Sequence, residues 1–494
     1  MHGTQKYSQI EIDNFVTNFT KEAKDFRLTQ SGTDDIKLYS PDKREIFGYL
    51  NCDDDNSTEL KVKIARKAFV DGRWRKKSLQ EKRDIFLKMA DLIEREKLVL
   101  ATMETLSVGK PIKHALEHDI PGAVGCIRWM AEAFDKLRGE TYITESSIYA
   151  KTLFEPIGVI VAIMPWNFPL VSAVWKMAPA LITGNSVILK PSEHSSLSTI
   201  RLAELALEAG LPEGVLSVVV GEGKNFNSSL IQSGDTDCIT ATCSTETGKR
   251  ILSNASVRKI KRTWLECGGK NANIIMPDAD NISQILADTV EECTYNTGQV
   301  CTSPSKVILH SSFRDQAKDH LKKLTLDFRY LNPTSLDCCY GPMANLTSYQ
   351  NIINATGANL TPGIEVIKNN SKGSLENLFL QPVVLFGVEK NMKESTAEIF
   401  GPVITIEFFD NDEQLNDIIQ ANPFGLSTVI WSENSKNQSR LIKKVKSGMI
   451  KCNTFKGGGM NVPFGGTRDS GFGKDHSFYA LKQYCDLKSI IERA

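Results

Sequence analysis

No apolar run in this chain of 494 residues approaches the length of a membrane span, which excludes a helical membrane protein. Excess charge of either sign is also missing, because 59 Lys and Arg balance 59 Asp and Glu. A chain without a net field is not built to gather nucleic acid or an anionic membrane surface. The stretch from Met1 to Phe26 lacks an apolar signal core, and its acids argue against a transit peptide. A cytoplasmic location is therefore expected. The 11 cysteines include no Cys-x-x-Cys pair and are odd in number, so reduced thiols are expected rather than a disulfide framework. No internal repeat is visible. The dinucleotide fingerprint Gly-x-Gly-x-x-Gly is missing too: Gly221-Glu222-Gly223 begins it, but Phe226 stands at its last position.

What is present reads as an α/β protein. The length calls for two or three domains. Residues 1–58 are polar with turn signals and read as an arm with short strands. From Leu60 to Glu117 a helical period dominates, with Ile85, Met89, Leu92, Ile93 and Leu98 on one stripe. The continuous apolar run Val159 to Met164 suits a strand buried on both faces. Ser186–Leu189, Val215–Val220 and Cys238–Ala241 are further strands. Between them, Leu202, Leu205, Ala206 and Ala209 line a helix that Gly210 closes. Such alternation predicts a parallel sheet with its ligand site beyond the carboxyl ends of the strands. A second alternating region runs from about Cys267 to Gly473.

Chemistry gathers in three stretches. Tyr295-Asn296-Thr297-Gly298-Gln299-Val300-Cys301-Thr302 offers a thiol, between a helical run and the strand Val307-Ile308-Leu309. A thiol attacks as thiolate, and nothing adjacent in sequence ionises Cys301, so its partners must come from elsewhere. Pro165-Trp166-Asn167-Phe168-Pro169 offers an amide donor on a rigid turn. Leu265-Glu266-Cys267-Gly268-Gly269-Lys270 offers a carboxylate beside two glycines that permit close backbone approach.

With Leu189-Lys190-Pro191-Ser192-Glu193, Glu398-Ile399-Phe400-Gly401-Pro402 and Pro463-Phe464-Gly465-Gly466, these stretches resemble the NAD(P)-dependent aldehyde dehydrogenase superfamily over nearly the whole chain. The resemblance implies a Rossmann-like NAD-binding domain over residues 1–138 and 158–266, which lacks the fingerprint throughout the family. It implies an α/β catalytic domain over 267–474 and a small β element over 139–157 and 475–494 that pairs subunits into a homodimer or homotetramer. Cys301 becomes the nucleophile, Asn167 and the Cys301 amide the oxyanion donors, and Glu266 the base that activates water. NAD is the cofactor. Lys190 and Glu193 would hold its adenosine ribose, with Glu193 disfavouring a 2′-phosphate. The helix opened by Ser244 would face the pyrophosphate, Glu398 the nicotinamide ribose and Phe400 the nicotinamide, with Trp166 and Gly268 alongside. No metal is expected. His114-Ala115-Leu116-Glu117-His118 matches His-x-x-Glu-His, but no third zinc ligand accompanies it.

The chain departs from the family at Cys243 and Asn227, each standing where glycine is usual near the cofactor. Cys243, Cys267 and Cys301 are read as three small residues of a crowded site, with an oxidative bridge from Cys301 to one of the other two as the alternative. Trp175 replaces the arginine of semialdehyde enzymes. The stretch Gly109 to His114, then Asp119 to Ala123, Ile127-Arg128-Trp129 and Gly473 to Ser477 are similar to the bacterial γ-glutamyl-γ-aminobutyraldehyde dehydrogenases. Asp119, Trp175, Val300, Thr302 and Phe464 are the substrate-side candidates, with Asp119 either an acid at the tunnel mouth or a helix cap. A broad aliphatic aldehyde dehydrogenase, or an NAD-binding relative whose turnover Cys243 impairs, are the alternatives.

Overall fold

The computed structural model describes residues 7–22, 36–145, 147–325, 328–369 and 373–493. The arm holds the expected short strands, but a helix precedes them. Gln9–Glu22 is a helix, followed by the antiparallel pair Ile36–Tyr39 and Ile46–Leu50. The signal was there: Ile12, Phe15, Val16 and Phe19 fall at helical spacing, and Ser8 and Glu11 cap each other reciprocally. The parts of that expectation at 1–6 and 23–35 lie outside the described residues. The stripe from Ile85 belongs to two helices. Leu79–Arg95 starts on a Ser78–Glu81 capping box and ends at Glu96, and Leu98 lies in the next helix, Lys97–Val108.

Three sheets organise the rest. The first has the order Gly471–Phe472, Arg262–Glu266, Cys238–Thr242, Val159–Ile163, Ser186–Lys190, Leu216–Val218. All its pairings are parallel except that of Gly471–Phe472. The strand Val159–Ile163 is central, and the chain adds strands to one side of it and then to the other. The order therefore reverses between Ile163 and Thr242, where an open sheet leaves a crevice at its carboxyl edge. The helix Leu197–Ala209 closes at Gly210, whose φ of 109° only glycine adopts without strain.

The second sheet runs Glu365–Lys368, Val383–Phe386, Val403–Phe409, Lys306–His310, Ala272–Ile275, Ser427–Trp431, Met449–Cys452, with only the first strand antiparallel. The third pairs Cys485–Arg493 with Ile148–Pro156, and that strand with Thr141–Tyr142. It leaves Ile143, Tyr149, Leu487 and Ile491 exposed. Among the described residues, no helix is long and apolar enough to cross a membrane.

Candidate active site

One cavity of about 840 Å³ opens at the reversal point, lined by Ile163 and Met164, by Lys190, by Thr242 to Ser244 and by Cys267 and Gly268. These are the carboxyl ends of four neighbouring strands. Of the catalytic, cofactor-side and substrate-side candidates read from the sequence, all but Glu266 line it, as do Cys243 and Cys267; Asn227 does not.

Cys301 reaches the cavity on an unusual turn. The helix Ile282–Thr294 stops at Tyr295, and Asn296 and Thr297 then take left-handed backbone with φ of 47° and 58°. Non-glycine residues hold that conformation only when their surroundings fix it. Here the Thr297 hydroxyl donates to the Gly341 carbonyl at 2.9 Å, and the Gln299 amide donates to Asn296 O at 3.0 Å. The Gln299 side-chain oxygen accepts from the Ala344 amide at 2.9 Å. Gly298 passes so close to Gly401 that a β-carbon would sit 2.3 Å from its carbonyl carbon. Asn271 donates to the carbonyls of Cys301 and Ser303 at 2.7 and 3.0 Å. The Cys301 sulfur is thus held from both sides in sequence. Burial, then the Glu398 and Glu266 carboxylates, push its thiol up to about 12, so the free enzyme rests as the thiol.

Asn167 stands beside it. Its side-chain amide donates to Gln299 O at 2.9 Å, and its own carbonyl accepts from Asn296 at 3.3 Å. One amide hydrogen is therefore committed and orients the group, leaving the other for a substrate oxygen.

The two carboxylates exchange the glycines expected of them. Gly268 and Gly269 serve Glu398, not Glu266. The Gly269 amide donates to Glu398 at 3.0 Å, and a β-carbon on Gly268 would fall 1.8 Å from the other Glu398 oxygen. Burial raises Glu398 to about 7. The Glu266 carboxylate instead accepts from the Gly466 amide at 3.3 Å, with Gly465 pressed against it. It lies behind the cavity wall, where burial and then Asp475 hold it well above the carboxylate range. Lys176 and Asp475 form a buried ion pair at 2.8 Å beside it, and Lys474 donates to the carbonyls of Gly465 and Gly466. Sequence reading missed this pair, whose members lie 299 positions apart.

On the cofactor side, Lys190 donates to the carbonyls of Pro191 and Gly221 at 2.9 and 2.5 Å and lies 3.9 Å from Glu193. Ser244 caps the helix Thr245–Ala255, whose first turn forms cavity wall. Trp166 meets Phe400 edge to face at 5.6 Å. Asn227 has ordinary helical backbone, φ −62°, and donates to Asn254 at 2.9 Å, so no glycine is needed there. Cys243 forms part of the cavity wall. Cys243 and Cys267 are hydrogen-bonded to each other. The donors, the helix start and the glycine-cleared space beside Glu398 fit an extended dinucleotide.

On the substrate side, Val300, Thr302, Phe168, Trp175, Tyr295 and Phe464 enclose the tunnel. Trp175 packs on Phe464 at 5.1 Å and His476 at 4.2 Å, and its indole N–H has no partner. Asp119 is neither a free mouth acid nor a helix cap. It makes no cap bond, and the buried Lys110 ammonium, itself 3.6 Å from Glu104, answers its charge. The acid left on the tunnel wall is Glu292, which burial raises and the Lys451 ammonium opposes. It sits in the last turn of the helix leading to Cys301, a position that no local motif marks. His114 and His118 flank the Tyr295 ring at 4.7 and 5.9 Å.

A doubly wound sheet, a second sheet, and one cavity between them that carries a half-buried cysteine form the frame of a dinucleotide-binding enzyme. The chain belongs to the aldehyde dehydrogenase family, whose sequence pattern matches residues 28–490. It is 39% identical over 429 residues to the NADP/NAD-dependent aldehyde dehydrogenase PuuC of Escherichia coli (strain K12), covering 87% of this chain and 86% of that one. The aminoacetaldehyde dehydrogenase of Pseudomonas aeruginosa is 32% identical, covering 91% of each. Among solved structures, an indole-3-acetaldehyde dehydrogenase with NAD+ superposes with a TM-score of 0.94 at 31% identity, over 99% of this chain and 100% of that one. The γ-glutamyl-γ-aminobutyraldehyde dehydrogenase of Burkholderia cenocepacia J2315 superposes with a TM-score of 0.91 at 31% identity, over 97% and 99%.

Proposed function

We propose that this NAD-dependent aldehyde dehydrogenase oxidises an aminoaldehyde of the γ-glutamyl-γ-aminobutyraldehyde kind to its carboxylic acid. The observation that carries the chemistry is the Cys301 thiol and the Asn167 amide on one cavity, with the amide already aimed by Gln299. Cys301, once ionised, attacks the aldehyde carbon and forms a thiohemiacetal. The free Asn167 hydrogen and the Cys301 backbone amide take the oxyanion. Lys190, Glu193, the helix start at Ser244 and Glu398 would hold NAD, which would supply the hydride acceptor that leaves a thioester on Cys301. Glu266, after giving up its proton and turning toward the cavity from its seat on Gly466, activates the water that releases the acid. The Lys176–Asp475 pair and Lys474 surround that seat and keep charge nearby for the proton it carries.

The substrate reading rests on Glu292, an acid on the substrate side of the cavity, where Asp119 and Asp475 are already paired with Lys110 and Lys176; it suits an ammonium at the far end of the substrate. The Burkholderia enzyme supports the same branch by its name. The domains are proposed as read from the sequence, with the exposed apolar face of the sheet Cys485–Arg493, Ile148–Pro156 as the surface for a second copy.

The test is NADH production by reduced protein on γ-glutamyl-γ-aminobutyraldehyde, free aminobutyraldehyde, succinic semialdehyde and propanal. Preference for the first two, lost on Glu292→Gln while propanal turnover stays, supports the reading. Equal rates on all four overturn it in favour of a broad aliphatic enzyme.

A further inference from the structure

The strands Cys238–Thr242 and Arg262–Glu266 run parallel, with Thr242 opposite Glu266. One residue further, both chains carry cysteine, and the ladder still holds there: the Cys243 amide donates to Glu266 O at 3.0 Å. Adjacent residues of a parallel pair lie about 4.8 Å apart. That is inside the range of about 4.4–6.8 Å that a disulfide spans. Both side chains point to the same face. A β-carbon on Gly248, in the helix behind them, would sit 3.0 Å from the Cys267 sulfur and 3.9 Å from that of Cys243. The missing side chain there leaves room for both sulfurs. Both cysteines also line the cofactor cavity, which gives small molecules a route to them.

We infer that Cys243 and Cys267 form an oxidisable dithiol, which hydroperoxides convert to a disulfide that alters the cofactor wall. Cys301 is not part of this bridge. The Cys243 thiol donates to Cys267, which lowers Cys267 and raises Cys243, whereas burial raises Cys301 to about 12. Of the three thiols, Cys267 is therefore the one whose ionised form a neighbouring thiol favours, and it is the one assigned to meet the hydroperoxide. Its sulfur attacks the outer oxygen, the O–O bond breaks, and the inner oxygen leaves with a proton as alcohol or water. The sulfenic acid on Cys267 is then attacked by Cys243, whose thiol proton joins the departing hydroxide. An S–S bond forms, an S–O bond breaks, and water leaves. Two thiols have supplied the two electrons that reduce the hydroperoxide, and an external dithiol reverses the step.

Bridging draws the sulfurs to about 2.05 Å. Cys267 lies between Glu266 and Gly268, and the Glu398 carboxylate rests on Gly268. The contraction thus reaches the cofactor face and the proposed base together.

The experiment treats the full, reduced protein with hydrogen peroxide, blocks free thiols with N-ethylmaleimide and maps the peptides by mass spectrometry. Expected is a linked pair containing Cys243 and Cys267, lighter by two hydrogens and undone by dithiothreitol. It should also form in Cys301→Ala and fail in Cys243→Ser, where Cys267 should oxidise further instead. In Cys301→Ala, NADH binding followed by fluorescence should weaken several-fold on oxidation and recover on reduction. Cys301 found in the linkage, both cysteines still alkylated after peroxide, or unchanged NADH affinity in the bridged protein would overturn the inference.

Discussion

The two walls of the cavity are built by different means. The cofactor wall is made of strand ends in regular register, and Asn227, where the resemblance implies glycine, sits near it in ordinary helical backbone. The nucleophile wall is made of loop, with Asn296, Thr297 and Phe400 in left-handed backbone and several long-range bonds holding them. A wall that binds an extended ligand spreads its task over many amides. A wall that positions one sulfur has no such reserve. Damage should therefore be abrupt on one side and graded on the other.

The largest effect belongs to the nucleophile. Cys301→Ala should cut NADH production by about 10⁴ or more, since no other group on that wall can attack. Its melting temperature should stay near that of the parent, because the sulfur donates no side-chain hydrogen bond that the loop depends on. A large residual rate would move the chemistry elsewhere. Asn167→Ala comes next, at about 10²–10³ in turnover, the cost of one oxyanion donor. Because the same amide orients on Gln299, Asn167→Asp should not rescue it. A loss confined to KM would assign Asn167 to substrate binding instead.

The graded side is tested at glycines. Gly268→Ala places a methyl on Glu398 and should raise the cofactor KM about tenfold, with a stability cost of about 1–3 kcal/mol for overpacking. Gly223→Ala lines the same cavity but meets nothing within 4 Å, and should change neither. Equal effects of the two would mean that Glu398 does not report on cofactor binding.

These contrasts follow what was legible in the chain. Motifs whose parts are neighbours in sequence could be read directly, such as the strand from Val159 and the Gly210 cap, whereas one ligand site for Cys301, Asn167 and Lys190 was implied by the family resemblance. What escaped was pairing across the fold. Asp119 looked free until Lys110 answered it, and Gly268 looked like a partner of Glu266 until Glu398, 129 residues from Gly269, took the place. Glu292 escaped because a glutamate in a last helical turn looks solvated unless the tunnel beside it is known. Only the arm helix was a misreading of a local signal, where turn residues outweighed a four-residue apolar stripe.

The smallest effect sharpens the comparison most, because Glu398 sits where the walls meet. Burial raises it from 4.5 to about 7. Below that value it is mostly neutral; above it, it is an anion that only accepts hydrogen bonds. If it holds the ribose hydroxyls, cofactor affinity should rise several-fold between about pH 6 and about pH 8. Stability should move the other way. The folded chain keeps this proton where the unfolded chain has lost it, so the contribution is whole below 4.5 and fades as pH climbs to about 7. Glu398→Gln should flatten both slopes, read as NADH affinity and as melting temperature across that range. Parent and variant with the same flat affinity would confine Glu398 to packing against Gly268, and the cofactor wall would then end at Cys267.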